Sequence, residues 1–323
     1  MLLHAVLCVV GFALLYYGAE WLVKGSASLA KSLGVAPIVI GLTVVAFGTS
    51  APELVVSLVS SIKGASMIAV GNVIGSNICN IALVLGLSAA IQPITCHRAV
   101  VRRDIPIMLA ISLLLMALCL DDTIHRIDGA VLFGGIILYT VMNYFFARRE
   151  KAAGNVPDVA GEVEELGFIS SRPKQLLFIV VGIAGVVGGA QLVVDSAVVI
   201  MEALGVSQKF IGLTIVAFGT SLPELATSVV AAMRKQMDIS IGNLVGSNVF
   251  NILSVLGAAA LVSPITIPGG FVDSGMYIDY LVMFGTSALP LLFLLKDNTV
   301  RRRDGVLLLT VYIGYLAYLI VKG

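Results

Sequence analysis

Charged residues are scarce in this sequence of 323 residues: Asp, Glu, Lys and Arg together make up 12% of it. A soluble domain carries roughly twice that share. The formal net charge of +1 also gives no reason to expect a nucleic-acid partner, because nucleic-acid-binding domains are strongly basic. Hydrophobic residues instead make up 59% of the chain. This composition is typical of an integral protein of the lipid bilayer.

Cysteine and histidine are also rare, at four and three residues. The cysteines are Cys8, Cys79, Cys96 and Cys119. Their spacing is not that of metal ligands, and we expect free apolar thiols rather than a disulfide or a metal site. The sequence has no cofactor motif and no nucleophile elbow. We therefore expect no cofactor, and we disfavour an intramembrane enzyme that would use two carboxylates as an acid–base pair.

Ten apolar segments approach the length of about 20 residues that crosses a membrane. They cover 3–23, 38–61, 67–91, 104–120, 128–147, 175–200, 209–232, 239–263, 276–295 and 303–321. The sequence therefore predicts an all-α membrane protein with ten transmembrane helices. The longest polar stretch, 148–174, is expected to be a solvated cytoplasmic linker, with a regulatory element as the alternative.

The sequence Gly-Thr-Ser-Ala-Pro-Glu-Leu at 48–54 recurs as Gly-Thr-Ser-Leu-Pro-Glu-Leu at 219–225, which is 171 positions later. At this offset, 28 of the 53 positions from 34 to 86 are identical. Each copy lies in a set of five apolar segments. Because five is odd, the second set must enter the membrane in the opposite orientation. The sequence thus predicts two inverted five-helix repeats, an architecture typical of transporters.

These repeats define the predicted domains. The first covers 1–147 and contains one duplicated part at about 34–86, and the second covers 175–323 and contains the other at about 205–257. Sixteen of the twenty Lys and Arg residues lie at the loops after the odd-numbered segments. Because basic residues accumulate on the cytoplasmic side, both termini should be extracytoplasmic.

A proline follows each repeated Gly-Thr-Ser and should break its helix. Pro52 has no N–H and its ring clashes with the carbonyl four residues back, so carbonyls near Gly48 and Thr49 lose their helical partners. In lipid, such carbonyls are costly unless something satisfies them, and a cation can do so. Glu53 lies about one turn beyond Thr49 and Ser50. Its carboxylate, their hydroxyls and the freed carbonyls can therefore converge on one face.

The second copy repeats this arrangement with Thr220, Ser221, Pro223 and Glu224. The third and eighth segments add two equivalent polar stripes, spaced i, i+4, i+8. The stripes consist of Asn72, Ser76 and Asn80, and of Asn243, Ser247 and Asn251. For Asn72 and Asn243, bonding between helices is an equal alternative to a role in the site. A glutamate inside an apolar segment is expensive to bury and indicates function by default.

All these candidate ligands are oxygen atoms: carboxylates, hydroxyls, amides and backbone carbonyls. This set favours a hard cation such as Ca²⁺ or Na⁺ over zinc or copper. Mg²⁺ is less suited, because it requires a tighter octahedron and retains its waters. Outside this set, Glu20 is expected to have a structural or vestibule role.

At these motifs the chain resembles the sodium/calcium exchanger family of the cation/calcium antiporter superfamily. The resemblance rests on the two Gly-Thr-Ser-x-Pro-Glu-Leu segments and on two Gly-Asn-x-x-Gly-Ser-Asn-x-x-Asn segments, at 71–80 and 242–251. It covers the membrane portion but not the large cytoplasmic regulatory domains of animal exchangers. It implies a prokaryotic member, in the plasma membrane, that exchanges Na⁺ for Ca²⁺ by alternating access.

The resemblance also implies which residues bind the ions. Glu53 and Glu224 would be shared by a Ca²⁺ site and flanking Na⁺ sites, and Thr49 and Thr220 would offer backbone carbonyls to Ca²⁺. The Na⁺ sites would be completed by the hydroxyls of Ser50, Ser76, Ser221 and Ser247 and by the carbonyls of Ala46 and Ala217.

Asn80 and Asn251 would line the centre of this implied site. Some relatives, notably the potassium-dependent exchangers, carry Asp at one of these positions, so two Asn favour potassium independence. Proton-coupled calcium exchangers of the superfamily have a different acidic motif, which favours sodium coupling here. The alternatives are a proton- or potassium-coupled calcium/cation antiporter and, less favoured, a cation channel.

Charge balance predicts the coupling. Two carboxylates carry a charge of −2, which one Ca²⁺ or two Na⁺ neutralise. The three-for-one exchange that the family implies would therefore move one net charge per cycle. The resemblance also implies that the first and sixth helices move against the other eight. Glycines in these two segments leave a smooth surface for such sliding, with close static packing as the alternative. The glycines are Gly11, Gly18, Gly25, Gly182, Gly185, Gly188 and Gly189.

Overall fold

The computed structural model describes residues 1–153, 166–205 and 217–322, and these residues are mostly helical. The helices are α1 Leu2–Leu33, α2 Pro37–Ile40, α3 Ala46–Thr49, α4 Ala51–Ile62, α5 Ser66–Ile78, α6 Gly86–Ile91, α7 Ile105–Leu118, α8 Arg126–Ala152, α9 Arg172–Ala203, α10 Ala217–Gly219, α11 Leu222–Met233, α12 Met237–Phe250, α13 Gly257–Val262, α14 Met276–Asp297 and α15 Arg302–Lys322. The π-helical segments are π1 Gly41–Val45, π2 Cys79–Leu85, π3 Val100–Asp104 and π4 Asn251–Leu256. The strands are β1 Ile94–Thr95, β2 Thr123–Ile124, β3 Ile265–Thr266 and β4 Thr299–Val300.

Several of these helices are long and apolar enough to cross a membrane. The described residues contain seven of them, or eight if Pro37–Thr49 and Ala51–Ile62 form one broken span. The chain is therefore an all-helical, multi-pass membrane protein, as its composition predicts. The predicted seventh segment is described only from Ala217, because 206–216 lie outside the described residues, as does 154–165 of the predicted linker.

The first helix is longer than its apolar run. The first apolar segment was predicted to end at 23, whereas α1 continues to Leu33. It stops at Gly34, whose φ of 65° and ψ of 43° are left-handed, a conformation that glycine adopts without a Cβ clash. The N–H groups of Gly34 and Val35 bond back to carbonyls of the last turn. Such a cap ends a helix at a defined residue, which hydropathy cannot predict.

Two compact units make up the fold, and each combines parts of both sequence repeats. Unit 1 consists of Met1–Ser50 and Phe146–Asn243. Unit 2 consists of Ala51–Phe145 and Leu244–Gly323. The compact units therefore do not follow the boundary between the repeats, since each repeat contributes helices to both.

Unit 1 is centred on the close packing of α1 against α9. A Cβ atom built on Gly18 would lie 2.7 Å from the backbone nitrogen of Val186, and one on Gly182 would lie 2.6 Å from that of Leu22. Gly11 and Gly189 also face the opposite helix. These glycines of the first and sixth segments thus allow α1 and α9 to approach closely, and sliding of the two helices past the other eight stays a prediction.

Glu20 contributes to the same unit. Its carboxylate forms an ion pair with Arg234, the residue that follows α11. This pair ties α1 to the end of α11, as expected for the structural role considered for Glu20.

Unit 2 contains two short antiparallel ribbons. In one, Ile94 pairs with Val300, and in the other, Ile124 pairs with Ile265. Ile94 and Ile265 are equivalent positions of the two repeats. Each ribbon thus joins a loop of the first repeat to a loop of the second, and the two ribbons follow the duplication.

Candidate cation site

The helix breaks predicted at the two prolines are present in both copies. α3 ends at Thr49, and Ser50 adopts φ −83° and ψ 8° before α4 begins. In the second copy, Ser221 adopts φ −89° and ψ 3° before α11 begins. Pro52 and Pro223 follow directly, in the first turn of the next helix. Proline at this position removes only an N–H that a helix start does not use, so the break is stable.

Both motif glycines have a steric reason to be glycine. A Cβ atom on Gly48 would lie 2.4 Å from Cδ1 of Ile183, and one on Gly219 would lie 2.2 Å from Cγ2 of Val194. Both side chains come from α9 within unit 1. Gly48 lies inside α3, where a larger side chain would overlap that of Ile183 on α9.

Glu224 is completely buried in unit 1, with an exposed fraction of 0%. The hydroxyl of Ser50 donates a hydrogen bond of 3.1 Å to its Oε1 atom. We expected the hydroxyls of one copy to face the carboxylate of the same copy. The partner is instead the serine of the other copy, so this unit brings the two repeated motifs together.

Thr49 and Asn243 form a second link inside unit 1. The Thr49 hydroxyl donates to Oδ1 of Asn243 at 3.0 Å. The Asn243 amide donates to the hydroxyl of Ser228 at 3.0 Å. Both ends of the Asn243 amide thus serve contacts between helices, which was one of its two expected roles.

Ala46 is the first residue of α3, the helix that ends at Thr49. Its carbonyl accepts the N–H of Ser50 at 3.0 Å and lies 3.4 Å from the Thr49 hydroxyl. A cation at this carbonyl would have to share it with those donors. Its counterpart Ala217 is the first residue of α10.

Glu53 is equally buried in unit 2, with an exposed fraction of 0%. The Ser76 hydroxyl donates a long hydrogen bond of 3.4 Å to its Oε1 atom. The amide of Asn72 donates to the Glu53 backbone carbonyl at 3.2 Å and to the Ser57 hydroxyl at 2.9 Å. Asn72 therefore bonds α5 to α4, in the same way as Asn243 bonds its neighbours.

Ser57 and Ser228 were not recognised as site-supporting residues from the sequence. They are equivalent positions, four residues after Glu53 and Glu224, and both accept an asparagine amide. The signal that could have found them is their identity in both copies. Their position one turn beyond each glutamate is a second signal that could have identified them.

Four asparagines form a further group in unit 2, with exposed fractions of at most 1%. Asn80 and Asn251 were predicted, whereas Asn77 and Asn248 were not. The amide of Asn80 donates to Oδ1 of Asn248, and the amide of Asn251 donates to Oδ1 of Asn77, both at 3.0 Å. Each pair joins one repeat to the other.

Several buried oxygens of the predicted set have no protein partner. Within the described residues, the hydroxyls of Thr220 and Ser221 and the Oδ1 atoms of Asn80 and Asn251 accept or donate no hydrogen bond. Buried polar atoms are nearly always satisfied by protein, water or an ion. These four oxygens are therefore candidates to contact a cation or its water. Ser247, the remaining predicted hydroxyl, is also completely buried.

The candidate ligands of the site are oxygen atoms, and few of them are charged. In the part of the chain that the structure describes, no group of three or more His, Cys, Asp or Glu could hold a metal ion. Each unit supplies one buried glutamate of the repeated motif together with hydroxyl, amide and carbonyl groups. Oxygen ligands of these kinds suit hard cations such as Ca²⁺ or Na⁺.

Comparison of the chain with known proteins identifies its family. The family model described as sodium/calcium exchanger protein matches residues 3–145 and 174–321. The sodium/calcium exchanger MaX1 of Methanosarcina acetivorans is 31% identical over 344 residues, which cover 96% of each chain. The inner membrane protein YrbG of Escherichia coli is 37% identical over 321 residues, covering 99% of this chain and 97% of its own.

A solved structure agrees with these relatives. The sodium-calcium exchanger NCX_Mj, soaked with Na⁺ and Ca²⁺, has a TM-score of 0.82 and 35% identity to this chain, with 98% of both chains covered. The family model matches most of the chain, and the relatives match it from end to end. The chain is therefore a multi-pass membrane transporter that belongs to the sodium/calcium exchanger family.

Proposed function

We propose that this protein exchanges Na⁺ for Ca²⁺ across the membrane by alternating access, with Glu53 and Glu224 as the carboxylates that bind the transported ions. The observation that carries the proposal is a completely buried glutamate one turn after each of two equivalent helix breaks. A buried carboxylate is several kcal/mol more costly than a solvated one unless a positive partner compensates it. A bound cation would lower this cost.

The neutral ligands support the same assignment. Ser50 and Ser76 hydroxyls already contact the two carboxylates, and Thr220, Ser221 and the central asparagines offer further oxygens. Ca²⁺ takes 6–8 oxygen ligands in flexible geometry, whereas Na⁺ accepts the same hard oxygens. The names of MaX1 and NCX_Mj describe sodium/calcium exchangers, which favours these two ions over H⁺ or K⁺.

We infer that the two repeats contribute to one set of ion sites. Two features within single units support this inference: Ser50 of the first repeat bonds Glu224 of the second, and the asparagine pairs join the repeats. The resemblance implies twelve ion-binding positions, and we propose that all of them contribute to this set of sites. They are Glu53, Glu224, Thr49, Thr220, Ser50, Ser221, Ser76, Ser247, Asn80, Asn251, Ala46 and Ala217.

The topology that we propose has ten helices in two inverted five-helix repeats, 1–147 and 175–323, joined by the cytoplasmic linker 148–174. Both termini are extracytoplasmic in this arrangement, because the basic loops face the cytoplasm. The similarity to an inner membrane protein of Escherichia coli supports a prokaryotic plasma membrane as its location.

Flux measurements test the proposal directly. The purified protein is reconstituted in liposomes, and ⁴⁵Ca²⁺ uptake is measured with a Na⁺, K⁺ or H⁺ gradient imposed one at a time. We expect uptake only when Na⁺ leaves the vesicle. Uptake driven by an H⁺ or K⁺ gradient alone would mean that this ion, and not Na⁺, is the coupling ion. Uptake without any counter-ion would indicate a channel.

A further inference from the structure

The four buried asparagines of unit 2 form a closed group, which we call the asparagine quartet: Asn77, Asn80, Asn248 and Asn251. Asn77 and Asn80 are three residues apart on the α5–π2 helix, and Asn248 and Asn251 are three apart on the α12–π4 helix. Three-residue spacing places both members of a pair on one helix face. The two helices thus present equivalent faces to each other.

The orientation of every amide in the quartet follows from two backbone carbonyls. The Asn77 side-chain amide lies 3.3 Å from the backbone carbonyl of Asn248, and the Asn248 side-chain amide lies 3.3 Å from that of Asn77. A carbonyl can only accept, so each of these side chains must point its NH₂ group at the other backbone. The opposite end of each amide, the Oδ1 atom, is then the only end that can face the quartet.

This first pair determines the second. Because Oδ1 of Asn248 is an acceptor, Asn80 must donate to it through Nδ2, and it does so at 3.0 Å. For the same reason Asn251 must donate through Nδ2 to Oδ1 of Asn77, also at 3.0 Å. The Oδ1 atoms of Asn80 and Asn251 are thereby turned away from the quartet. Both are buried and have no hydrogen-bond partner among the described residues.

The backbone supports the same conclusion. Asn80 lies in π2 and Asn251 begins π4, so both free oxygens occur where an α-helix changes to a π-helix. π-Helical turns are rare and frequent at functional sites. The quartet therefore presents two oriented amide oxygens from two irregular helix segments, related by the sequence repeat.

We propose that Asn77 and Asn248 are positioning residues for transport. They hold the amides of Asn251 and Asn80 so that an oxygen, and not an NH₂ group, faces the transported cation. This inference rests on the proposed function, in which Asn80 and Asn251 contact the ion. An amide released from its partner can rotate by half a turn and offer its NH₂ group, which repels a cation.

The test measures the Ca²⁺ concentration for half-maximal Na⁺-dependent uptake in the variants Asn77→Ala and Asn248→Ala. We expect it to rise about tenfold in each, as for residues that orient metal ligands. The matched control is Asn143→Ala, another asparagine of unit 2 that is 3% exposed and outside the quartet. Its half-saturating Ca²⁺ concentration should equal that of the wild type.

Double variants separate positioning from a general loss of structure. Asn77 acts through Asn251, so Asn77→Ala should add little in an Asn251→Ala background but should multiply the effect of Asn80→Ala. Independent effects of Asn77→Ala and Asn251→Ala would overturn the proposal. If an alanine variant does not fold, the serine variant replaces it, since a serine hydroxyl is too short to reach the partner amide.

The failure of this proposal and that of the proposed function have different signatures. Wild-type vesicles that show no saturable, Na⁺-dependent Ca²⁺ uptake would overturn both. Wild-type vesicles that exchange the ions, together with an Asn77→Ala variant of unchanged half-saturating Ca²⁺ concentration, would overturn only the role of the quartet.

Discussion

At the scale of single residues, the two buried glutamates are the strongest feature of this chain. Both have an exposed fraction of 0%, and each accepts a hydrogen bond from a serine hydroxyl. Other carboxylates, such as Glu202, lie at exposed positions. Burial makes a charge on Glu53 or Glu224 more costly than a charge on the exposed Glu202, and in the proposed function the transported cation lowers that cost.

Replacing either glutamate by glutamine should therefore abolish exchange. Glu53→Gln and Glu224→Gln keep the shape of the side chain and remove its charge, and we expect Na⁺-dependent ⁴⁵Ca²⁺ uptake to fall at least about 100-fold. Protein yield should be preserved, because a neutral amide is less costly to bury than a carboxylate. Glu202→Gln is the exposed control and should transport normally. Uptake at the wild-type rate in both buried variants would refute the site.

The sequence alone predicts candidate ligands for the site but not the residues that position them. Glu53, Glu224, Asn80 and Asn251 are recognisable because polar residues recur in two apolar settings. Asn77 recurs in the same way, as Asn248, but recurrence does not distinguish a cation ligand from a residue that positions one. Its role depends on a carbonyl of a distant helix, which hydropathy and spacing do not reveal.

At the scale of elements, the helix breaks were predictable because proline acts locally. A missing N–H and a ring clash end a helix whatever surrounds it. The π segments were not predictable, because a π turn has no composition of its own and forms where tertiary contacts favour an extra residue. The pairing of Ser50 with Glu224 was also missed, since helical spacing describes only contacts within one copy.

The close approach of α9 to α3 gives a test at this scale. Gly48→Ala adds a methyl group 2.4 Å from Cδ1 of Ile183, an overlap that we expect to destabilise the protein by about 1–3 kcal/mol. The measurement is the thermal unfolding temperature of the purified protein in detergent. In an Ile183→Ala background the same substitution should have little effect, because the overlapping atom is gone. An equal loss in both backgrounds would mean that Gly48 is required for its backbone and not for space.

At the scale of the whole molecule, the distribution of charge predicts the orientation in the membrane. Lys63 belongs to the weakly basic side and Arg148 to the strongly basic side, and both are exposed. In a variant whose four cysteines are replaced by serine, we expect Lys63→Cys to react with an impermeant maleimide on intact cells. Arg148→Cys should react only after permeabilisation. The reverse pattern would invert the proposed topology.

The stoichiometry is the remaining property of the whole molecule that charge predicts. If three Na⁺ leave a vesicle for each Ca²⁺ that enters, one positive charge leaves per cycle, so an inside-positive potential should favour Ca²⁺ uptake. One charge across 100 mV corresponds to about 2.3 kcal/mol, or about a 50-fold change in the equilibrium Ca²⁺ ratio. Vesicles with valinomycin and graded K⁺ gradients provide the potentials, and the same gradients without valinomycin provide the control. An equilibrium Ca²⁺ ratio that is unchanged at every potential would indicate two Na⁺ per Ca²⁺. Two Na⁺ and one Ca²⁺ carry the same charge and neutralise two carboxylates equally, so their exchange moves no net charge.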